Sequence, residues 1–185
     1  MVSAVIPKRY EYLTSPDMPR MIQEGLKTYG TLEEPGSKNN PTILEWANEV
    51  GVDKFYTADS IPWCGLWMAV IAKRSGWTPP KSPLWALSWS SFGEYIKESS
   101  EPHAPSLGDV LVFVRNGGGH VGLYVGEDST SFFVLGGNQS NSVCITRIVK
   151  SRLYTARRPK WRIQQPPTVK PVVLSSQGDI SKNER

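Results

Sequence analysis

Apolar positions along the chain follow two different rhythms. Through the first half they recur at intervals of three and four. One set is Met18, Met21, Ile22, Leu26 and Tyr29, a second is Ile43, Leu44, Ala47 and Val50, and a third is Leu66, Trp67, Val70 and Ile71. That spacing places each set on one face of a helix. The punctuation agrees. Asp17 is positioned to cap the first helix, and Gly30 to end it in a left-handed residue. Asn40-Pro41 reads as an N-cap followed by a first-turn proline, and Gly51 closes that second helix. A third helix over 63–75 ends at Gly76, and Ser82-Pro83 starts a shorter fourth one that runs to about Phe92.

From Gly108 onward the period falls to two. The runs GDVLVFVR, HVGLYVG, SFFVLGG and SVCITRIV predict four strands. The links at 116–119 and 127–130 are short and polar or glycine-rich, as hairpins require, so the sheet is expected to be antiparallel. Helices followed by strands predict an α+β fold, with N-terminal helices packed on one face of a sheet of four or more strands.

With 185 residues the chain suits one domain with a sizeable core. Residues 1–16 show no clear periodicity and read as an arm. After residue 158 the composition shifts to prolines, glutamines, serines and charges. Residues 160–185 are therefore expected to form a flexible tail, or one that docks on a partner such as a phage structural protein. That leaves 17–159 as the folded domain.

A net charge of +4 and a pI of about 9.1 change little. The densest basic cluster is Arg157, Arg158, Lys160 and Arg162, and no nucleic-acid module accompanies it, so no nucleic-acid partner is expected. Cys64 and Cys144 are the only cysteines, in no zinc-like spacing and too few for a disulfide scaffold. No window approaches the ~20 apolar residues of a membrane span. The N-terminal residues lack a secretory signal, which predicts synthesis in the cytoplasm.

Cys64, in PWCGLW, falls at the start of the third helix. Unpaired N–H groups and the positive helix end favour a thiolate there, and the same groups can hold an oxyanion. His120 opens the HVGLYVG strand after Gly117-Gly118-Gly119, where its imidazole can take a thiol proton and return it to a leaving amine. A third polar group should orient that ring. Asn138, in VLGGNQSN, is favoured, with Gln139 and Asn141 as competitors. Asp59, Trp63 and Gln139 are candidates for substrate binding, although Asp59 reads equally well as a loop cap. His103, in EPHAP, is expected on an exposed loop, and Cys144 in the core.

Several motifs in fixed order, PWCGLW, GDVLVF, GGGHVGLYVGED, VLGGNQSNSV and KSRLYTARRP, resemble the papain-like wall-hydrolase superfamily. That group includes the cysteine, histidine-dependent amidohydrolase/peptidase (CHAP) and NlpC-type domains. EEPGSKNNPTILEW is similar to a segment of a compact branch common in bacteriophages and bacteria. The resemblance spans about residues 17–159. It implies a papain-like fold, with Cys64 as nucleophile, His120 as base and Asn138 in the third place. It also implies peptidoglycan as substrate, an amide as the bond cut, and neither metal nor organic cofactor. CHAP proteins often carry a glutamate shortly before the third residue; here Leu135-Gly136 stands there. A phage lysin, a virion-associated enzyme or an injected effector would fit, delivered by a holin, a virion or a secretion machine. The alternatives are an idle binding module, a structural phage component, or a hydrolase of some other amide.

Overall fold

The computed structural model describes residues 5–97, 100, 102–162, 164–176 and 180–181. Three α-helices come first: α1 (Arg20–Leu26), α2 (Pro41–Val50) and α3 (Cys64–Arg74). Six strands follow: β1 (Glu94–Tyr95), β2 (Val110–Arg115), β3 (Gly118–Glu127), β4 (Ser131–Gln139), β5 (Ser142–Val149) and β6 (Leu153–Arg158). They form one antiparallel sheet in the order β1-β6-β2-β3-β4-β5. The α+β class and the antiparallel hairpins agree with the sequence pattern. The sheet gains β1 and β6 beyond the four expected strands.

Helix α3 is the centre of the molecule. Every residue from Cys64 to Ala72 is buried, so the helix is covered all round instead of on one stripe. Its apolar side chains share a core with Val110, Val112, Val121, Leu123, Phe133 and Leu135 from one sheet face. The opposite face carries a smaller cluster that includes Leu111, Phe113, Tyr124, Phe132 and Val134.

Helix α2 is capped as predicted: Asn40 Oδ1 accepts the Thr42 N–H at 2.8 Å, and Gly51 turns left-handed at φ 76°. Two other boundaries differ. Helix α1 begins after Pro19 without any side-chain cap, so Asp17 does not perform that role. The expected fourth helix is a 3-10 helix, Ala86–Ser91. Its serines turn inward on the backbone, with Ser88 Oγ donating to Trp85 O at 2.8 Å and Ser91 Oγ to Ser88 O at 2.8 Å. Such local bonds compete with a regular α-helix.

Described parts of both terminal segments pack on the body, so the folded part extends beyond 17–159. The N-terminal arm contains a 3-10 helix, Lys8–Thr14, that buries Tyr10 and Leu13 in the main core. The expected flexible tail is docked over 168–175. Glu127 N donates to Val172 O at 2.8 Å, Leu174 N to Glu127 O at 2.8 Å, and Leu107 N to Lys170 O at 3.1 Å. Val169 is buried. Leu174 can approach because residue 126 is glycine; a methyl group there would lie 2.7 Å from Leu174 Cδ1. Arg9 Nη2 also donates to Ser175 O at 2.7 Å, tying arm to tail.

A buried ion pair pins β5 to the β3–β4 turn. Arg147 donates to Asp128 Oδ2 through Nη2 at 2.6 Å and Nε at 3.0 Å. Asp128 Oδ1 accepts the N–H groups of Thr130 at 2.8 Å and Ser131 at 2.9 Å. Burial raises this carboxyl, but those N–H donors and the guanidinium outweigh burial and hold it below the ordinary carboxylate range. A depressed carboxyl contributes stability above its unfolded pKa of about 3.9 and loses it as pH falls through the folded value. Asp128→Asn is expected to cost about 1–3 kcal/mol at neutral pH. Urea unfolding should show the gap from wild type closing below about pH 4.

Candidate active site

The site forms where two neighbouring strands part. β3 and β4 pair from Glu127↔Phe132 to Leu123↔Leu135. Beyond Leu123 they no longer pair, and the first turns of α3 sit at the opening. A methyl group on Gly137 would lie 2.5 Å from Trp67 Cβ and 2.9 Å from Trp63 Cζ3. Glycine at 137 is therefore what lets the helix seat against β4. Gly65 serves the other side: a methyl there would lie 2.3 Å from Pro83 O and 2.7 Å from Leu84 O. Past the point where β3 leaves β4, the Val121 N–H acts on the Cys64 thiol and lowers it. Cys64 thus lies beside β3 at the residue that follows His120.

Cys64 is only 4% exposed. Burial pushes its thiol above the ordinary value, opposed by the N–H groups of Val121 and Gly65 and by the Arg115 charge. The helix-end stabilisation expected from sequence is present, but burial exceeds it. The resting group is a thiol that needs a base.

His120 is fully buried. Its Nε2 lies 3.0 Å from Gln139 Oε1. The Gln139 Nε2 donates to Val134 O at 3.1 Å and to Cys144 O at 2.7 Å. With both amide hydrogens committed to carbonyls, Oε1 must face the ring, so His120 Nε2 carries the proton and Nδ1 is the basic nitrogen. Phe113 stacks alongside the imidazole, with centroids 6.4 Å apart and planes inclined by 29°.

Gln139, not Asn138, is the ring's partner. Val134 lies in the cluster on the Phe113 face, and a methyl on Gly136 would lie 3.3 Å from His120 Nε2. Simple alternation would carry that face on to 138. Instead the β4–β5 register shifts between Gly136 and Gln139, and Asn138 turns left-handed at φ 57°. The shift hands the ring-facing position to the next residue. Asn138 is buried, and its Oδ1 has no hydrogen-bond partner among the described residues.

The other candidates hold the scaffold. Asp59 Oδ2 accepts the N–H of Glu34 at 2.8 Å and of Asn40 at 2.8 Å, so it clamps the 33–40 loop, and the residue is buried. Trp63 is fully buried and donates its indole N–H to Glu33 Oε2 at 3.2 Å. It forms a wall between that loop and α3, not a groove surface. Asn141 offers its carbonyl to Glu33 N at 2.8 Å, in the same loop. His103 is exposed as expected. Cys144 is half-buried, and its thiol donates to Gln139 O at 3.4 Å.

Two neighbours carried no signal in the sequence. Tyr56 is buried, donates to Ile61 O at 3.1 Å, and has its phenol pushed up by burial and further by Asp59, Glu33 and Cys64. Arg115 ends β2, and its charge reaches the Cys64 sulfur. Among the described residues no group of three or more His, Cys, Asp or Glu side chains could hold a metal ion, and no helix is long and apolar enough to cross a membrane. No protein-family model matches the chain, and no curated protein matches it. Fold and site together define an arrangement: a cysteine at a helix N-terminus and, on the antiparallel sheet that packs against this helix, a histidine held by a glutamine carboxamide.

Proposed function

We propose that the protein is a cysteine hydrolase that cuts an amide bond in the peptide part of peptidoglycan. The observation that carries the chemistry is the His120 Nε2–Gln139 Oε1 contact at 3.0 Å, which fixes the ring's tautomer one residue before Val121, whose N–H acts on the Cys64 thiol. With Nε2–H held by Gln139, Nδ1 takes the thiol proton as sulfur attacks the amide carbonyl. N–H groups at the start of α3 stabilise the tetrahedral oxyanion. The imidazolium then gives its proton to the departing amine, leaving a thioester on Cys64. Water, deprotonated by the same nitrogen, attacks the thioester, releasing a carboxylic acid and the free thiol. The wall substrate is supported by the ordered motifs of residues 17–159. A phage lysin or virion-associated lytic enzyme is the biological setting that suits them.

The test is digestion of purified peptidoglycan, with fragments read by mass spectrometry. New amine and carboxylate ends should appear with wild type. If several wall types remained intact, the wall reading would fail.

Gln139 is a positioning residue in this scheme. Gln139→Ala should lower kcat about 10- to 100-fold, with a smaller change in KM, because the ring loses its fixed tautomer. Asn138→Ala should cost less. Steady-state kinetics beside thermal unfolding would separate positioning from loss of fold; equal effects from the two substitutions would refute the assignment.

A further inference from the structure

We propose that Arg115 is the anion receptor of this site, seating a carboxylate of an acidic substrate peptide beside Cys64. The inference rests on the hydrolase reading and names the chemistry of its substrate. Arg115 and His120 lie on the two arms of one hairpin, with Arg115 opposite Gly118 and Phe113 opposite His120. The Arg115 Nε is anchored on Gly119 O at 3.4 Å, next to the catalytic histidine. A methyl on Gly118 would lie 3.8 Å from Arg115 Nη2. The glycines at 117–119 thus leave the guanidinium uncovered by side chains of its own turn. The same charge opposes burial at the Cys64 thiol.

Arg115 combines a missing counter-charge with an open fork, whereas Arg157, also in no ion pair among the described residues, gives Nε and Nη2 to the Phe92 and Gly93 carbonyls. Arg74, Arg147 and Arg158 hold carboxylates at 2.6, 2.6 and 2.7 Å respectively. Among the described residues no ion pair includes Arg115, although it is half-buried. Its terminal nitrogens make no hydrogen bond there either, since only Nε is engaged. A half-buried guanidinium with its fork open matches a carboxylate in two parallel bonds. A peptide with a free carboxylate near the scissile amide supplies that partner, whereas a carboxamide supplies no charge.

Two measurements test this, and the first needs no turnover. Cys64 is alkylated with iodoacetate and with iodoacetamide at low ionic strength, the modified peptide being identified by mass spectrometry so that Cys144 does not interfere. Wild type should favour the anionic reagent, and Arg115→Gln should lower the ratio of the two rates about tenfold or more. If both rates fell together, Arg115 would only be tuning the thiol, and the proposal would be overturned. The second compares peptides that differ by a carboxylate or a carboxamide beside the cut amide. In Arg115→Gln the selectivity for the acid should fall about 10- to 100-fold, mainly through KM, and Arg115→Lys should recover part of it. An unchanged selectivity would overturn the proposal. Should wild type cleave neither peptide, the hydrolase reading would be in question, and the alkylation ratio would still decide whether Arg115 receives an anion.

Discussion

Cys64→Ala is expected to release no fragments from a wall preparation that wild type cleaves, a loss of about 10⁴-fold or more, with the fold intact. The nucleophile has no substitute nearby. Cys144, the only other thiol, is turned to the Gln139 carbonyl. His120→Ala should be as damaging, because burial raises the Cys64 thiol and leaves it protonated without a base. The two groups act as a unit, so the double variant should be no worse than either single one. Removing one sulfur atom from the helix start opens little space, and unfolding of Cys64→Ala should stay within about 1.5 kcal/mol of wild type. A Cys64→Ala protein that still cut the wall would end the mechanism.

The second large effect concerns stability. Asp109, from the GDVLVF run, is 1% exposed and meets Arg158 in a paired contact, Nε–Oδ1 at 3.0 Å and Nη2–Oδ2 at 2.7 Å. Burial pushes the carboxyl up, and Arg158 and the Ser106 N–H offset part of that push. The guanidinium also donates to Pro102 O at 2.6 Å and Ala104 O at 3.1 Å, so one residue of β6 ties residues 102, 104 and 109 together ahead of β2. Asp109→Ala would strand a buried cation and should cost about 3–5 kcal/mol. For a chain of this size that lowers the thermal midpoint by about 10 °C. Replacing both partners with apolar residues should cost less than the single change, since no charge is then stranded. Calorimetry on wild type and the two variants checks the order. A double variant worse than Asp109→Ala would mean that the pair stabilises through its contacts, beyond merely neutralising each other's charge.

Much of this architecture is legible in the chain because its signals are local. The spacing of Ile43, Leu44, Ala47 and Val50, with Asn40 before and Gly51 after, is sufficient to define α2. Period-two runs likewise mark β2 to β5. The positions of Cys64 at a helix start and His120 near a strand start can also be read directly. What could not be read depends on partners distant in sequence. Choosing Gln139 over Asn138 requires knowing that the strand breaks its alternation at 138. The docking of 168–175 depends on Gly126, some forty residues upstream and unremarkable in its own strand. The protonated state of Cys64 follows from how deeply α3 is enclosed, a property of the packed molecule that periodicity does not reveal.

The influence of the Val121 N–H on the Cys64 thiol makes one backbone amide a built-in reporter. A neutral thiol is a weak acceptor and a thiolate a strong one. The Val121 proton resonance should therefore move downfield when Cys64 ionises, and change again when the sulfur carries an acyl group. Interior sheet amides bonded to carbonyls would hold their shifts through the same titration. Nuclear magnetic resonance of that single amide could follow the sulfur through each stage of a turnover without any label on substrate or enzyme other than ¹⁵N.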